Sequence, residues 1–452
     1  MKKSIIPILS FVLLACLITS CEAYKGDDYR TQAYPLSAEQ IAREKLMLNN
    51  DYNFENVLAH TLPSGETRLT IFSAPVENSK NIILPLKNSE YTGMESYVKK
   101  QLPEIWSSEN PIRISDIGNF LELYPADEGK YTAVQKKSVN AFGQSRDAVI
   151  YKDVFGLEND LTCYLTSFGI NTEIVLNKIP PQNTFEFQVK LYNSVADPES
   201  PDYTLFRTLV NGEEVGDAKR LIYTPLVVDR NKKWNFTNQT QVTQSADDEN
   251  MYTVKFIIDE NFLQDKATQY PVTLNQSFYL NKPKQPDTSA YKNTGDTLRH
   301  YLSPYLLLGD SGLKGEGWTY IRYETLNLMN IPEDKIVSAK YVFRNLFDLP
   351  GEALIGAYAV TSEWCSINTR WINRPDFDEK PVSQTVVKKA GNYELDITLL
   401  FREMIKSKQN PSPMYTVSRG FMIRCDTPVS DLILASGDNG LFSPCLEVVI
   451  AP

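Results

Sequence analysis

"TFEFQVKLY", residues 184–192, alternates apolar and polar side chains without a break: Phe185, Phe187, Val189 and Leu191 on one side, Glu186, Gln188 and Lys190 on the other. A period of two sends successive side chains to opposite faces of a pleated ribbon, so this stretch reads as a strand with one face on a core. The same signature recurs in both directions. "TRLTIFSAPV" (67–76), "NIILPL" (81–86), "YTVKFIID" (252–259), "YIRYETL" (320–326), "KYVFRNL" (340–346), "LIGAYAV" (354–360) and "CLEVVIA" (445–451) are rich in β-branched and aromatic residues. Polar or Pro/Gly turns separate them. The pattern predicts an all-β chain with few short helices. Helical signals are confined to "SAEQIAREKLMLNN" (37–50), where Ser37 and Gln40 have capping-box spacing, to "MESYVKKQL" (94–102) and to "TLLFREMIKSK" (398–408). The sharpest change in composition is "NKPKQPDTSAYKNTGD" (281–296), polar and with two prolines. It reads as a linker between an N-terminal β-rich region over 37–280 and a C-terminal β-sandwich over 297–452.

The N-terminus predicts where the chain lives. Lys2 and Lys3 precede the apolar run "SIIPILSFVLLACLIT", which is too short and too N-terminal for a mature membrane span. It ends in "ITSC" (18–21), an aliphatic residue, two small ones and a cysteine, which resembles a lipobox closely. Residues 1–20 are therefore expected to be a lipoprotein signal peptide, Cys21 the lipidated first residue of the mature chain, and 21–36 a tether. The early Asp27 and Asp28 resemble the surface-export signal of some Gram-negative lipoproteins, so the expected location is the outer membrane, facing outward. The lipid is the one membrane contact expected.

The whole chain has 46 basic and 56 acidic residues and a net charge of −10. Removing Lys2 and Lys3 with the signal takes 46 to 44 basic residues and the charge to −12. Such a chain repels a phosphate backbone, which argues against nucleic acid as a partner. Only His60 and His300 are present, so a histidine-based zinc site has little to be built from, and no cofactor is expected. Cys163, Cys365, Cys425 and Cys445 lack CxxC spacing and read as small buried hydrophobes, with a Cys425–Cys445 bridge as the alternative. "GDSG" (309–312) matches the nucleophile tetrapeptide of trypsin-like proteases, but Leu313 follows where glycine is expected, and a turn is the plainer reading. No other catalytic motif is present, and nothing singles out a carboxylate pair for glycoside hydrolysis. "DFDEK" (376–380) reads as an exposed acidic loop, with a structural Ca²⁺ site as the alternative.

The second half carries a family resemblance. In order, "YLLLGDSG", "YIRYETLNLMNIPEDKIVSAKYVF", "YAVTSEWCSINTRWINRP", "YELDITLLFREMI", "GFMIRC" and "LILASGDNGLFSPCLEVVI" are similar to the DNRLRE family of bacterial extracellular modules. Upstream, "LPSGETRLTIFSAPV", "VIYKDVFGLENDLTCYLTSFGINTEIVL", "TFEFQVKL" and "FLQDKATQYPVTLN" resemble the β-rich region that precedes such a module in wall-associated and Rhs-like proteins. Arg370 and Ile372 depart from the Thr and Asn that the family favours, and "KSKQNPSPMYTVS" (406–418) is an insertion. The resemblance implies a jelly-roll-like β-sandwich and, for some modules, binding of carbohydrate, acidic polysaccharide included.

Two features bear on function. In "SEWCSINTRWINRP" (362–375), alternation and the family pattern point to Trp364 and Trp371 as core residues of a strand stopped by Pro375. A ligand platform and a reactive site are the other readings. In "YIRYETL" and "SAKYVFRNL", Ile321, Tyr323, Leu326, Ala339, Tyr341 and Phe343 are expected to face inward, leaving Arg322, Lys340 and Arg344 outward on neighbouring strands. These three cations are candidate contacts for a uronate, the alternative being a solvated face balanced by Glu324. The expected function is a non-catalytic, polysaccharide-binding or adhesive surface lipoprotein. A structural envelope protein that contacts other proteins, and a polysaccharide-degrading enzyme, are the competing classes.

Overall fold

The computed structural model describes residues 47–48, 57–72, 83–85, 90–93, 98–115, 120–166, 169–200, 202–210, 213–280, 287–294, 300–310, 312, 314–323, 326, 329–366, 368–409, 419–428 and 432–452. Cys21, and the signal peptide and tether expected on either side of it, lie outside these residues. So does the helix expected over 37–50, except for Met47–Leu48, which are strand.

The fold is all-β. Among the described residues strand far outweighs helix, 54% against 6%, and every strand pair is antiparallel, within three sheets. Thr184–Leu191 behaves as its sequence requires, with Phe185, Phe187, Val189 and Leu191 buried and Glu186, Gln188 and Lys190 half-buried. It lies between Met251–Ile257 and Phe120–Pro125 in an eight-stranded sheet. That sheet packs on an eleven-stranded one whose centre runs Glu213–Tyr223, Val272–Leu280, Gly169–Leu176 and Asn159–Thr166. One core, including Trp106, Phe187, Ile174 and Phe278, fills the space between them.

The third sheet has thirteen strands and encloses a second core around Leu308, Tyr341, Phe343, Ile355, Ile423 and Val448. Tyr305–Asp310 turns its corner, pairing with Leu432–Ala435 along Tyr305–Leu308 and with Glu316–Ile321 at Gly309 and Asp310. The helix Thr398–Gln409 covers one end, as its sequence predicts. The other α-helix among the described residues, Glu260–Gln264, is capped by the Asp259 side chain.

Four expectations need correction. Lys99–Pro103 is a strand where a helix was expected over 94–102. The Glu316–Ile321 strand ends one residue before Arg322. The stretch 281–296 is not simply a linker, because Asp287–Tyr291 is a fully buried strand paired with Glu316–Ile321. Finally, the hairpin Val57–Thr61 and Thr67–Phe72, from the N-terminal region, belongs to the third sheet, where Thr67–Phe72 pairs with Cys445–Ile450 from Thr67 to Phe72. The two sandwiches meet at a third apolar cluster in which Phe142, Leu226 and Val228 pack with Tyr305, Leu307, Phe347 and Phe442.

Candidate functional site: an aromatic and arginine layer on the third sheet

Three adjacent strands, Glu316–Ile321, Phe421–Cys425 and Ala353–Ala359, give their odd-numbered apolar residues to the core: Ile321, Phe421, Ile423, Ala353, Ile355 and Ala357. Their even-numbered residues form a separate layer on the opposite face, with Trp318, Tyr320, Met422 and Tyr358 buried together. Across this face Trp318 pairs with Arg424, and Arg424 with Gly356. A Cβ at Gly356 would sit 2.6 Å from Asp426 Oδ2 and 2.7 Å from the Tyr358 ring, so the missing side chain makes room for both.

A loop crosses over this layer. It leaves at Val360 and returns at Phe377, which form a β-bridge, and Thr361 N–H donates to Asp376 O (2.8 Å). The "SEWCSINTRWINRP" stretch is this loop, not a strand, because its backbone is committed to turns: Asn368 and Thr369 N–H both donate to Cys365 O at 3.0 Å, and Arg370 N–H donates to Asn373 Oδ1 at 2.8 Å. Trp364 and Trp371 are therefore half-buried lids on the Trp318 cluster, not sealed core residues. The Trp364 indole donates to Arg419 O (2.6 Å), and the Trp371 ring lies 4.8 Å from Trp318.

Guanidinium groups interleave with the rings. Arg374 lies 4.7 Å from the Trp318 centroid and 4.4 Å from that of Trp371, and donates to Trp371 O (2.6 Å). Arg424 stacks on Tyr358 at 4.5 Å, and Arg322 on Trp364 at 5.1 Å. Their electrostatic states differ. Arg424 is neutralised by Asp426 (2.9 Å), which also accepts from Tyr358 and Gln384. The Asp426 hydrogen bond helps to raise the Arg424 guanidinium pKa against the opposing effect of burial. Neither Arg370 nor Arg374 has a carboxylate within 4 Å among the described residues. Arg374, half-buried against two indoles and without a carboxylate within 4 Å among the described residues, is the cation of this layer best placed to attract an anion, while Arg370, four residues earlier, donates to Asn368 O (3.0 Å).

The sequence-derived cations do not form one strip. Lys340 and Arg344 sit on Ile336–Asn345, separated from Glu316–Ile321 by Leu432–Ala435 and Tyr305–Asp310, so the strands are not neighbours. Lys340 is tied to Glu394 at 2.6 Å, a hydrogen bond that raises its pKa. Arg344 donates to Asn392 (3.2 Å) and lies 4.7 Å over the Phe442 ring, and its burial lowers its pKa. Sequence reading passed over Arg370 and Arg374 because they lie in a stretch assigned to strand. The signal available was the pair of arginines four apart around Trp371.

Other sequence candidates fall outside this layer. Gly309 and Gly312 both have positive φ, the geometry of a turn, and His300 is bound to Asp202 (Nδ1 to Oδ2, 2.8 Å). The four described cysteines are free thiols, with Cys163 and Cys445 pushed to high pKa by burial. Asp376, Asp378 and Glu379 are exposed, and no group of three potential metal ligands occurs among the described residues.

Fold and surface together define an all-β protein of antiparallel sheets bearing an aromatic and arginine layer. No family model matches the chain, and no curated protein matches it. Among solved structures it aligns with an exo-β-1,3-galactanase from Phanerochaete chrysosporium with galactose, at 8% identity over 89% of this chain and 92% of that chain. The TM-score of 0.13 is too low for that likeness to carry an argument.

Proposed function

We propose that this chain is a non-catalytic surface lipoprotein, anchored through Cys21, that holds an acidic glycan on the 361–376 loop. Trp371 would stack on a sugar ring while Arg374 and Arg370 pair with a carboxylate such as that of a uronate. The observation that carries the reading is Arg374: its guanidinium lies against two indole rings that touch each other and has no carboxylate partner among the described residues. A preorganised arginine loses little side-chain freedom on binding, which favours recognition of a carboxylate. Exposed Asp376, Asp378 and Glu379 close by disfavour a dense polyanion such as nucleic acid and favour a ligand with spaced charges. The sequence resemblance to DNRLRE modules points the same way.

Titration of the 22–452 chain with uronate and neutral oligosaccharides tests this. Arg374→Gln is expected to weaken uronate binding about tenfold or more, the span of one charge-assisted hydrogen bond. Binding should also fall with rising salt. Equal affinity of Arg374→Gln and Trp371→Ala with the wild type would overturn the assignment. One observation favours the structural envelope reading: Ile372, beside Trp371, is 71% exposed and would suit an apolar protein contact. In that case Ile372→Ser would abolish a protein contact and no glycan would bind. The anchor has its own test, since Cys21→Ala is expected to abolish fatty-acid labelling.

A further inference from the structure

The layer on the third sheet contains one arrangement built twice. Trp371 lies on Trp318, with ring centroids 4.8 Å apart and planes at 53°, and Trp364 lies on Tyr320 at 5.8 Å and 51°. Arg374 stacks on the Trp371 ring at 4.4 Å and donates to the Trp371 carbonyl oxygen (2.6 Å). Arg322 holds the other indole in the same way, stacking on Trp364 at 5.1 Å and donating to Trp364 O (3.3 Å). Each unit is thus a strand aromatic, a half-buried indole from the loop, and a guanidinium that grips the indole by ring and backbone. Trp318 and Tyr320 are two residues apart on one face of Glu316–Ile321, about 7 Å along the strand, so the units sit side by side.

Independent bonds fix each unit. The Trp364 indole donates to Arg419 O (2.6 Å), and the Arg419 guanidinium donates to Thr361 O (2.8 Å) and pairs with Glu363 (3.2 Å). At the other unit Tyr320 donates to Pro375 O (3.3 Å), beside Arg374, and Asp376 N–H donates to Ser362 Oγ (2.7 Å). Both indoles are held before a ligand arrives, so stacking on them costs little ordering of the protein.

We propose that the two indoles are adjacent subsites for one glycan chain, so that the surface selects an oligomeric acidic glycan over a single acidic sugar. The proposal rests on the acidic-glycan reading above and adds chain length to it. A polysaccharide repeats its ring at a fixed interval, and two platforms of like construction side by side match a repeat. A single sugar engages one of them. Trp371 and Arg374 take a uronate ring and its carboxylate, and Trp364 takes the neighbouring ring. Arg322 serves the second unit by holding its indole; the carboxylate contact is asked of Arg374 alone. Once the first ring is seated, the second meets its platform at a high effective concentration, and affinity rises with chain length.

Calorimetric titration of the 22–452 chain with galacturonate and with alginate oligomers, each as monomer, dimer and tetramer, tests this. For at least one of the two glycans the tetramer is expected to bind about tenfold or more tighter than the monomer, and Trp364→Ala to remove most of that gain. This substitution changes no charge, so its effect separates ring stacking from the greater charge of the longer chain. A tetramer no tighter than the monomer, with binding still weakened by Arg374→Gln, overturns the tandem site and leaves the acidic-glycan reading standing. An advantage of the tetramer that survives in Trp364→Ala overturns it as well. A wild type that binds neither glycan at any length overturns both. Should Trp364→Ala fail to fold, the wild-type series at raised salt decides, because screening removes the charge effect and leaves stacking. A length advantage that persists there supports the tandem, and one that vanishes refutes it.

Discussion

Trp318 and Trp371 touch, yet they do different work because their surroundings differ. Trp318 is only 8% exposed, held by Glu316 through its indole N–H (3.0 Å) and packed on Phe377 at 5.0 Å. Trp371 covers it from a loop. Truncating a buried tryptophan leaves a large cavity, so Trp318→Ala is expected to cost about 3–5 kcal/mol. Trp371→Ala and Trp364→Ala, which remove half-buried lids, should cost about 1–2 kcal/mol. Chemical denaturation would order them, and a larger loss at Trp371 would mean that the loop is a core element after all. Gly420 is a second sensitive position. Its φ of +68° is strained for any residue with a side chain, and an added Cβ would meet Ile321 O at 2.0 Å. Gly420→Ala is expected to destabilise by about 2 kcal/mol or more and, by moving Arg419, to free the Trp364 indole. An unchanged midpoint would show that the strand end can relax.

At the scale of the element, the hairpin Val57–Phe72 matters most. Its second strand pairs with Cys445–Ile450 and contributes Leu69 and Ile71 to the second core. A fragment of residues 281–452, which keeps the Asp287–Tyr291 strand, would lack it, leaving an apolar strand edge open to pairing with other chains. That fragment is expected to aggregate, while fusing 57–72 to it restores a monomer with a β-type circular dichroism spectrum. A soluble, folded 281–452 fragment would show the hairpin to be an accessory. This pairing was not legible in the sequence, because strand character is local while partner choice is set by residues more than 370 positions apart. The strands themselves were legible wherever alternation was clean, as in Thr184–Leu191. The Lys99–Pro103 strand was not, because Lys100 occupies an inward, fully buried position and disguises the alternation with Leu102 as helical polarity. The aromatic layer was half legible. Its tryptophans stood out, but the turn bonds that lift Arg370 and Arg374 out of strand geometry depend on the Asn373 side chain, which accepts from Arg370 N–H and donates to Asn368 O, and which a period-two reading ignores.

At the scale of the molecule, the two sandwiches are joined by titrating groups with opposed responses. Beside the apolar junction, Asp202 from the N-terminal region accepts from His300 Nδ1 (2.8 Å) and from Lys314 Nζ (2.7 and 2.9 Å) of the C-terminal one. Burial alone would raise the Asp202 carboxyl, but Lys314 and His300 hold it well below the usual range. His300, 2% exposed, is lowered by burial and then by Lys314, against the pull of Asp202. Because the folded state binds a proton on His300 less readily than the unfolded chain, stability from this group is lost as pH falls below about 6.5. Glu173, a buried carboxyl in Gly169–Leu176 that accepts from Ala141 N–H (2.7 Å) and Asn275 Nδ2 (2.9 Å), has the opposite sign because burial outweighs these bonds. Its folded pKa is raised, so its contribution is complete below about 4.5 and is lost as pH climbs to about 7, by about 3 kcal/mol at most. The two slopes oppose each other between 4.5 and 6.5, and the wild-type melting temperature is expected to vary little there. Removing one slope exposes the other: Glu173→Gln should give a melting temperature that climbs steadily from pH 4.5 to 7. Asp202→Asn, which strands the Lys314 ammonium in a buried site, should cost about 3–5 kcal/mol at neutral pH. Differential scanning calorimetry across pH 4.5–8 measures both. A Glu173→Gln profile parallel to the wild type throughout would show that these groups do not set the pH response of the molecule.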